Sequence, residues 1–355
     1  PSSCPLMSSR RGFLKTSCAS ALALKMGVFD FASSVSAAKR KTSSKPTIRV
    51  AFVRPDVKSY WLGWPGAAYD IPGHQVQYKN ILNKAAENLG VKLEIQDAPI
   101  HDSDTVSEFV GSVKRSDPDG LFIVMMSLNE PAWENAKELA TKRGDVPMIV
   151  FSPMGTSFTG HLQRTRGIPG VFTAATQHLD WMGKGLRMLK TVWQMKNTRL
   201  CIVKGEKTED KELEGLGTTL HYIPRTRFAE EFNKADTTDE MKSIAYYYKR
   251  EAKDIVEPNS KNILNAVKNY VVARRIIADE NCDGISVDCL PIVGSRDIHP
   301  PCLAWSRLRD EGVVAACEAD TNAALASRLT HLLFDRPGFR SEERRVGKEC
   351  ATGCR

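Results

Sequence analysis

The stretch Ile48-Arg49-Val50-Ala51-Phe52-Val53 decides the fold class of this chain of 355 residues. It is an almost unbroken apolar run that stops at Arg54-Pro55. Such runs are typical of parallel strands that are buried on both faces, because helices cover both sides of the sheet. The same pattern returns in the first half of the chain at Val91 to Ile95, Leu121 to Met126 and Pro147 to Phe151.

Helical spacing separates these apolar runs. Tyr78, Leu82 and Leu89 recur on one face of a predicted helix, and the pattern ends at Gly90, a residue that commonly stops helices. Strands that alternate with helices predict an α/β fold with a Rossmann-like, doubly wound parallel sheet.

A second unit of the same kind follows. An amphipathic helix that carries Leu186 and Leu189 leads into a new strand at Leu200 to Val203. Segment Gly205 to Thr237 shows no clear pattern. We therefore expect doubly wound sheets in two consecutive domains, 47–198 and 199–339, the second of them incomplete. The later patterns predict helices near 239–254 and 260–279, a strand at Gly284 to Val287, a helix at Leu303 to Asp310, a strand at Val313 to Ala316 and a helix that ends at Phe334.

The first residues read as an export signal. Ser9-Arg10-Arg11-Gly12-Phe13-Leu14-Lys15 precedes a weakly apolar stretch and small residues near Ala37, which is typical of a twin-arginine signal. We predict a signal region at 1–38, a linker at 39–46, and export by the twin-arginine machinery to the periplasm or extracellular space. No stretch reaches the roughly 18 apolar residues of a membrane helix, so we expect no stable membrane insertion.

The last residues differ abruptly from the rest. Arg340 to Cys350 resembles the in-frame translation of a common sequencing adapter. We interpret residues 340–355 as non-native and leave them out of the fold prediction.

Charge does not indicate a nucleic-acid partner. The whole chain carries a formal net charge of +8. Residues 1–41, with a net charge of +6, and residues 340–355, with +2, contain this entire excess, so residues 42–339 have no net charge. A basic surface for nucleic acid or anionic membrane is therefore not expected.

The sequence lacks several motifs for common enzyme chemistry. The first strand runs into Val53-Arg54-Pro55-Asp56 and not into a glycine-rich phosphate loop, which argues against a dinucleotide enzyme. Zinc-ligand spacings and a serine nucleophile elbow are also missing from the sequence. We expect Cys289 and Cys302 to be buried as small hydrophobic residues.

The most suggestive chemical feature is Glu318, which follows the strand predicted at Val313 to Ala316. Ligands of open α/β sheets bind at the carboxyl ends of the strands. A carboxylate at this position can be a metal ligand or a base, and Asp320 beside it can equally cap the next helix. From these residues alone the cap is the better interpretation of the acidic pair.

A wider stretch, Ile263 to Phe339, resembles the L-fucose/L-arabinose isomerase-like superfamily. The likeness rests on Cys282-Asp283-Gly284, on Pro301-Cys302, on Gly312 to Asp320 and on Arg336-Pro337-Gly338-Phe339. The resemblance implies that Glu318 is a catalytic ligand of a divalent metal, Mn²⁺, with an Asp and a His supplied from beyond Phe339. It also implies a missing third domain, a homo-oligomer in the full-length protein, and isomerisation of an aldose to a ketose through an enediol. As truncated, the chain is expected to be inactive.

Further candidate residues follow the first strand. Arg54 is similar in position to a sugar-contacting arginine of that superfamily, and its alternative is a surface ion pair. Trp61 and Trp64 lie in an aromatic loop with Tyr60 and Tyr69, which can stack on a sugar ring or pack against its own domain. The rival interpretation of the whole chain is an exported sugar-binding protein of the periplasmic type, without catalysis.

Overall fold

The computed structural model describes residues 45–61, 68–154 and 159–338. The predicted signal region 1–38, linker residues 39–44, Trp64 and the adapter-like residues 340–355 lie outside the described residues.

The first unit is a five-stranded parallel sheet with helices on both faces. A two-stranded antiparallel hairpin precedes its first helix. In chain order the elements are β1 Thr47–Val53, β2 Ser59–Trp61, β3 Ala68–Asp70, α1 Ile71–Leu89, β4 Lys92–Ile100, α2 Ser103–Ser116, β5 Gly120–Met125, α3 Glu130–Lys142, β6 Met148–Ser152, α4 Thr159–Gln163, β7 Val171–Ala175 and α5 Trp181–Lys196.

The strands of this sheet lie in the order β4-β1-β5-β6-β7. Alternate residues of the deciding stretch face opposite cores. Ile48 and Phe52 pack into one core, with residues of α1 and α5, whereas Ala51 and Val53 pack into the other, with residues of α2 and α3. All four are fully buried, which explains why the run is apolar apart from the partly buried Arg49.

The second unit has a five-stranded sheet of its own, in which the edge strand β9 runs antiparallel to β10. Its elements are β8 Arg199–Val203, β9 Glu209–Glu212, β10 Thr219–Ile223, α6 Arg225–Lys234, α7 Asp239–Glu251, α8 Ser260–Asp279, β11 Gly284–Val287, α9 Cys289–Gly294, α10 Cys302–Asp310, β12 Val314–Cys317 and α11 Thr321–Phe334. The strand order is β12-β11-β8-β10-β9.

The predicted fold class is confirmed. Both sheets are parallel-rich and covered by helices, and in each the chain first builds outward on one side of the first strand and then returns to the other side. The third domain implied by the resemblance stays a prediction. Among the described residues, we find no helix with both the length and the apolar character needed to cross a membrane.

Candidate functional site

The carboxyl ends of the parallel strands are the place to look for a site, because ligands of open α/β sheets bind there. The strand order reverses between β1 and β5 in the first sheet and between β8 and β11 in the second. Arg54 follows β1, and Glu318 follows β12 at the edge of the second sheet. The fold thus brings each predicted residue to the expected end of its own sheet.

Glu318 has an unusual backbone conformation. Its φ is 59° and that of Ala319 is 51°, so two consecutive residues with side chains adopt the left-handed region. This conformation costs a non-glycine residue about 1–2 kcal/mol. Asp320 then accepts a hydrogen bond of 2.9 Å from the backbone N–H of Ala323 and caps α11, which confirms the interpretation of Asp320 as a cap. Glu318 itself is exposed.

Two further side chains lie just beyond the carboxyl ends of strands in the second sheet: Arg225 follows β10, and Asp288 follows β11. Arg225 Nη2 lies 2.6 Å from Asp288 Oδ2 and forms an ion pair with it. Burial raises the pKa of the Cys289 thiol, and a backbone hydrogen bond from Glu318 opposes that rise. Cys289 is buried as expected, but the prediction for Cys302 was wrong: it is exposed because it occupies the first turn of α10 on the solvent side.

The metal predicted from the resemblance needs several ligands. Within residues 45–61, 68–154 and 159–338, no three His, Cys, Asp or Glu side chains lie close enough together to hold an ion. Glu318 is therefore a single presumed ligand, and the described residues do not complete a metal site. The Mn²⁺ site stays a prediction.

The Arg54 side chain forms hydrogen bonds with residues of its own domain. Its Nε donates to Gln75 Oε1 at 2.8 Å, and its Nη1 donates to the Pro55 carbonyl at 3.1 Å. Gln75 in turn donates to the Asp97 carbonyl at 3.1 Å, so the network ties the end of β1 to α1 and β4. Desolvation lowers the pKa of the Arg54 guanidinium, and the nearby Asp56 and Asp97 carboxylates oppose this. A substrate contact by Arg54 stays a prediction.

The aromatic loop is only partly described. Trp61 lies in β2, where its backbone pairs with Ala68, and Trp64 lies outside the described residues. Tyr69 is 6% exposed, its hydroxyl is 2.9 Å from that of Tyr78, and its ring stacks on His74 at 4.2 Å. Tyr69 thus packs against its own domain, as the alternative interpretation predicted.

A cavity that the sequence did not indicate lies along β7 and the start of α5. Its volume is about 560 Å³, and Phe172 to Thr176 line it together with His178, Asp180, Trp181 and Lys184. Thr176 and His178 follow the carboxyl end of β7, so the cavity reaches the edge of the sheet where ligands are expected.

A stack of three aromatic rings forms the apolar wall of this cavity. Trp181 lies nearly parallel to Phe151, with centroids 5.2 Å apart and planes inclined by 6°. Phe172 also stacks on the indole, with centroids 6.0 Å apart and planes inclined by 13°. Phe172 is 49% exposed, so the outermost ring of the stack is open to solvent. Gly185 permits this packing, because a Cβ there would lie 2.7 Å from the Phe122 ring and 2.9 Å from Trp181.

Polar groups surround the aromatic wall. The Thr176 hydroxyl accepts from the backbone N–H of His178 at 3.2 Å, and Thr173 exchanges a hydrogen bond of 2.8 Å with Thr165. Lys184 Nζ lies 3.1 Å from Asp180 Oδ2. The cavity therefore offers an apolar face beside hydroxyl, imidazole, carboxylate and ammonium groups, which suits a small ligand with one apolar face and several hydroxyls.

Sequence reasoning missed Phe172 and Trp181. Val171-Phe172-Thr173-Ala174-Ala175 is too short and too mixed to stand out as a strand. One signal was available: Trp181 begins a helix whose apolar face carries Met182, Leu186 and Leu189, and it lies beside that face. A large aromatic residue beside the apolar face of a helix indicates that its ring packs against residues other than those that contact this face.

Comparisons with known proteins identify no family. No protein-family model matches the chain, and no curated protein matches it. Among solved structures, 15 chains match. One is GanP, a glucose-galactose binding protein from Geobacillus stearothermophilus, with 11% identity, coverage of 83% of this chain and 94% of that chain, and a TM-score of 0.25. A likeness at this level carries no argument about the ligand of this chain.

Proposed function

We propose that this chain binds a neutral sugar in the cavity between β7 and α5. The half-exposed Phe172 ring carries the proposal, because it stacks on Trp181, which in turn stacks on the buried Phe151. One face of a pyranose presents mainly C–H groups, and aromatic rings bind such faces by burial and by their quadrupole.

The rest of the cavity is consistent with a neutral ligand. The charges of Asp180 and Lys184 offset each other, and Thr176 supplies a hydroxyl and His178 an imidazole. A volume of about 560 Å³ falls within the range of ordinary small-molecule sites, which is about 300–1,000 Å³. Hydroxyl groups around a sugar ring can hydrogen-bond to this rim while the ring stacks on Phe172.

Isothermal titration calorimetry on the full chain tests the proposal. We expect saturable binding of at least one hexose or hexopyranoside, with a dissociation constant below about 1 mM. This value corresponds to a binding free energy of about −4 kcal/mol. The Phe172→Ala variant should bind the same sugar at least several-fold more weakly. Absence of binding to every neutral hexose tried at millimolar concentration contradicts the proposal.

A second candidate function is that of a metal-dependent aldose–ketose isomerase homologue. Glu318 favours it, because the left-handed backbone of Glu318 and Ala319 presents a carboxylate beyond a parallel strand. Bound metal would polarise the sugar oxygens in such a reaction. Since the described residues supply one presumed ligand, we derive no catalytic step for them.

The isomerase candidate requires an Asp and a His from the sequence that follows Phe339 in the source gene. Its test is conversion of an aldose to a ketose, with added Mn²⁺, by protein that carries that sequence. Glu318→Gln should abolish the conversion while leaving the unfolding midpoint unchanged. Equal turnover by the variant would exclude Glu318 as a metal ligand.

Export is a separate proposal that rests on the twin-arginine stretch. A reporter fused behind residues 1–46 should reach the periplasm of a host with a working twin-arginine pathway. Replacing Arg10 and Arg11 together by Lys should stop this, and continued export by that variant would contradict the proposal.

A further inference from the structure

Asp180 occupies the N-cap position of α5 but does not cap the helix. Its φ and ψ are −58° and −20°, which is a helical conformation, and its side chain makes no capping hydrogen bond. The backbone N–H groups of Trp181, Met182 and Gly183 instead donate to the carbonyls of His178, Leu179 and Asp180, each at 3.1 Å. The tight first turn therefore satisfies these donors without the carboxylate.

Three other aspartates at helix starts do cap, whereas Asp288 before α9 makes no capping bond and pairs with Arg225. Asp102 accepts from the N–H of Thr105 at 2.9 Å, and Asp320 accepts from that of Ala323 at 2.9 Å. Asp70 accepts from Gly73 at 3.2 Å. Their carboxylates are used in capping, as is usual for this residue type. The Asp180 carboxylate lies at a helix start but is not used in capping.

That carboxylate pairs with Lys184 one turn along the helix. Asp180 Oδ2 and Lys184 Nζ are 3.1 Å apart, both side chains are 67% exposed, and both line the cavity. A carboxylate only accepts hydrogen bonds and an ammonium group only donates them. Two such groups about one hydrogen-bond length apart match two adjacent hydroxyls of a sugar, since one hydroxyl can donate to Asp180 while its neighbour accepts from Lys184.

Resting on the proposed sugar site, we infer that Asp180 and Lys184 make it selective for pyranosides that carry a vicinal diol. Phe172 and Trp181 bind the ring by contact with its C–H face, which deoxy sugars also possess. Asp180 and Lys184 then distinguish the sugars, because loss of one hydroxyl removes a hydrogen bond between the sugar and a charged group. The aromatic wall thus binds sugars with and without the diol, and the ion pair distinguishes between them.

The experiment compares two probes, methyl β-D-glucopyranoside and its 3-deoxy analogue. Removal of the 3-hydroxyl destroys both vicinal diols of the ring and leaves an unsubstituted C–H face. Calorimetry on the full chain should give at least tenfold tighter binding of the parent glycoside. In Asp180→Asn and in Lys184→Gln, this ratio should fall to about twofold, while the 3-deoxy analogue binds as it does to the unaltered chain. Phe172→Ala should weaken both probes by similar factors and keep the ratio.

The outcomes separate the two proposals. If the unaltered chain binds the glycoside and the tenfold ratio persists in both Asp180→Asn and Lys184→Gln, the diol inference is overturned and the sugar site stands. If the unaltered chain binds neither probe nor any other neutral sugar, both proposals fail. Circular dichroism and the thermal midpoint of each variant verify that it is folded, and Lys184→Gln retains the test if Asp180→Asn does not fold.

Discussion

Trp181 lies between the core and solvent, with its indole plane within 13° of the Phe172 ring and 6.0 Å from it. The indole also stacks on Phe151, which is fully buried in the first sheet. Because the exposed Phe172 ring is already held by stacking, it loses little conformational entropy when a ligand binds, and this preorganisation favours binding. The pair Phe172 and Trp181 is the basis of the proposed sugar site.

Replacement of Phe172 by Ala should weaken sugar binding about tenfold, since an aromatic contact contributes about 0.5–1.5 kcal/mol beyond area burial. The free energy of unfolding should change much less, because the ring is half exposed. Phe334, which is 66% exposed on α11, provides the matched control, and Phe334→Ala should leave affinity unchanged. Equal effects of the two substitutions on affinity would remove Phe172 from the site.

Gly185→Ala should lower the free energy of unfolding and weaken sugar binding. The added methyl would lie 2.7 Å from the Phe122 ring, and overpacking of this kind costs about 1–3 kcal/mol. Trp181, 2.9 Å away, would have to shift as well.

Gly183→Ala on the same helix is the control for this change. Its methyl would meet only Ala85 Cβ at 3.6 Å, an ordinary contact. The gain in helix propensity should therefore stabilise the protein by about 0.5–1 kcal/mol. Urea unfolding measures both variants, and stabilisation by Gly185→Ala would show that the packing around Trp181 is loose.

Asp320→Ala should destabilise the protein by about 1 kcal/mol, because it removes the cap of α11. Asp180→Ala should change stability by no more than about 0.5 kcal/mol, the size of an exposed helix pair. Thermal or urea unfolding of the two variants compares them directly. A loss at Asp180 as large as that at Asp320 would indicate that Asp180 does cap α5.

Glu318→Gly should stabilise the protein by about 0.5–1 kcal/mol. Glycine relieves a left-handed conformation that costs about 1–2 kcal/mol, and part of this gain is offset by the greater freedom of glycine in the unfolded chain. Glu318→Ala removes the carboxylate but keeps the strain, so it should leave stability unchanged. Equal unfolding midpoints for the two variants would argue against stored strain at this position.

Asp210 should make a stability contribution that depends on pH. Hydrogen bonds from Arg199 and His221 hold the pKa of its carboxyl below the usual range, and His221 Nδ1 lies 2.6 Å from Asp210 Oδ1. A lowered folded-state pKa gives stability that is present above the unfolded value of about 3.9 and is lost as pH falls through the folded value.

Asp210→Asn should therefore cost about 0.5 kcal/mol at pH 7, since Asp210 is half exposed and screened by solvent. The difference from the unaltered chain should disappear in acid, below the folded pKa. Glu212→Gln on the same strand, β9, is the control and should show no such dependence. A difference that is constant from pH 7 down to the acid transition would contradict the assignment.

Most internal strands of both sheets were predictable from sequence because their residues are apolar on both faces, but the internal strand β10 lies in the segment Gly205 to Thr237, which shows no clear pattern. Ile48 to Val53 and Gly284 to Val287 lie in strands at the predicted positions. Of the four edge strands of the two large sheets, β4 and β12 were predicted, at Val91 to Ile95 and Val313 to Ala316, whereas β7 and β9 were not predictable. β7 has one neighbour in its sheet and only partial burial, and β9 consists of four exposed residues, so neither carries an apolar pattern.

The candidate site was harder to predict than the fold. Glu318 and Arg54 could be placed at strand ends because chain order fixes where parallel strands finish. The cavity beside Phe172 depends on a contact between a strand and a helix start that only packing determines. Likewise, the pairing of Asp180 with Lys184 in place of a capping hydrogen bond follows only from the geometry of the first turn of α5.

Fluorine NMR of the full chain labelled with 5-fluorotryptophan tests the sugar site most directly. The chain has six tryptophans, and the Trp181→Phe variant identifies the resonance of Trp181 by its disappearance. Saturating methyl β-D-glucopyranoside should shift the Trp181 resonance and leave the others in place. A sugar-dependent shift at Trp61 or Trp64 with Trp181 unchanged would contradict a sugar site beside Phe172 and would place the sugar at the aromatic loop instead.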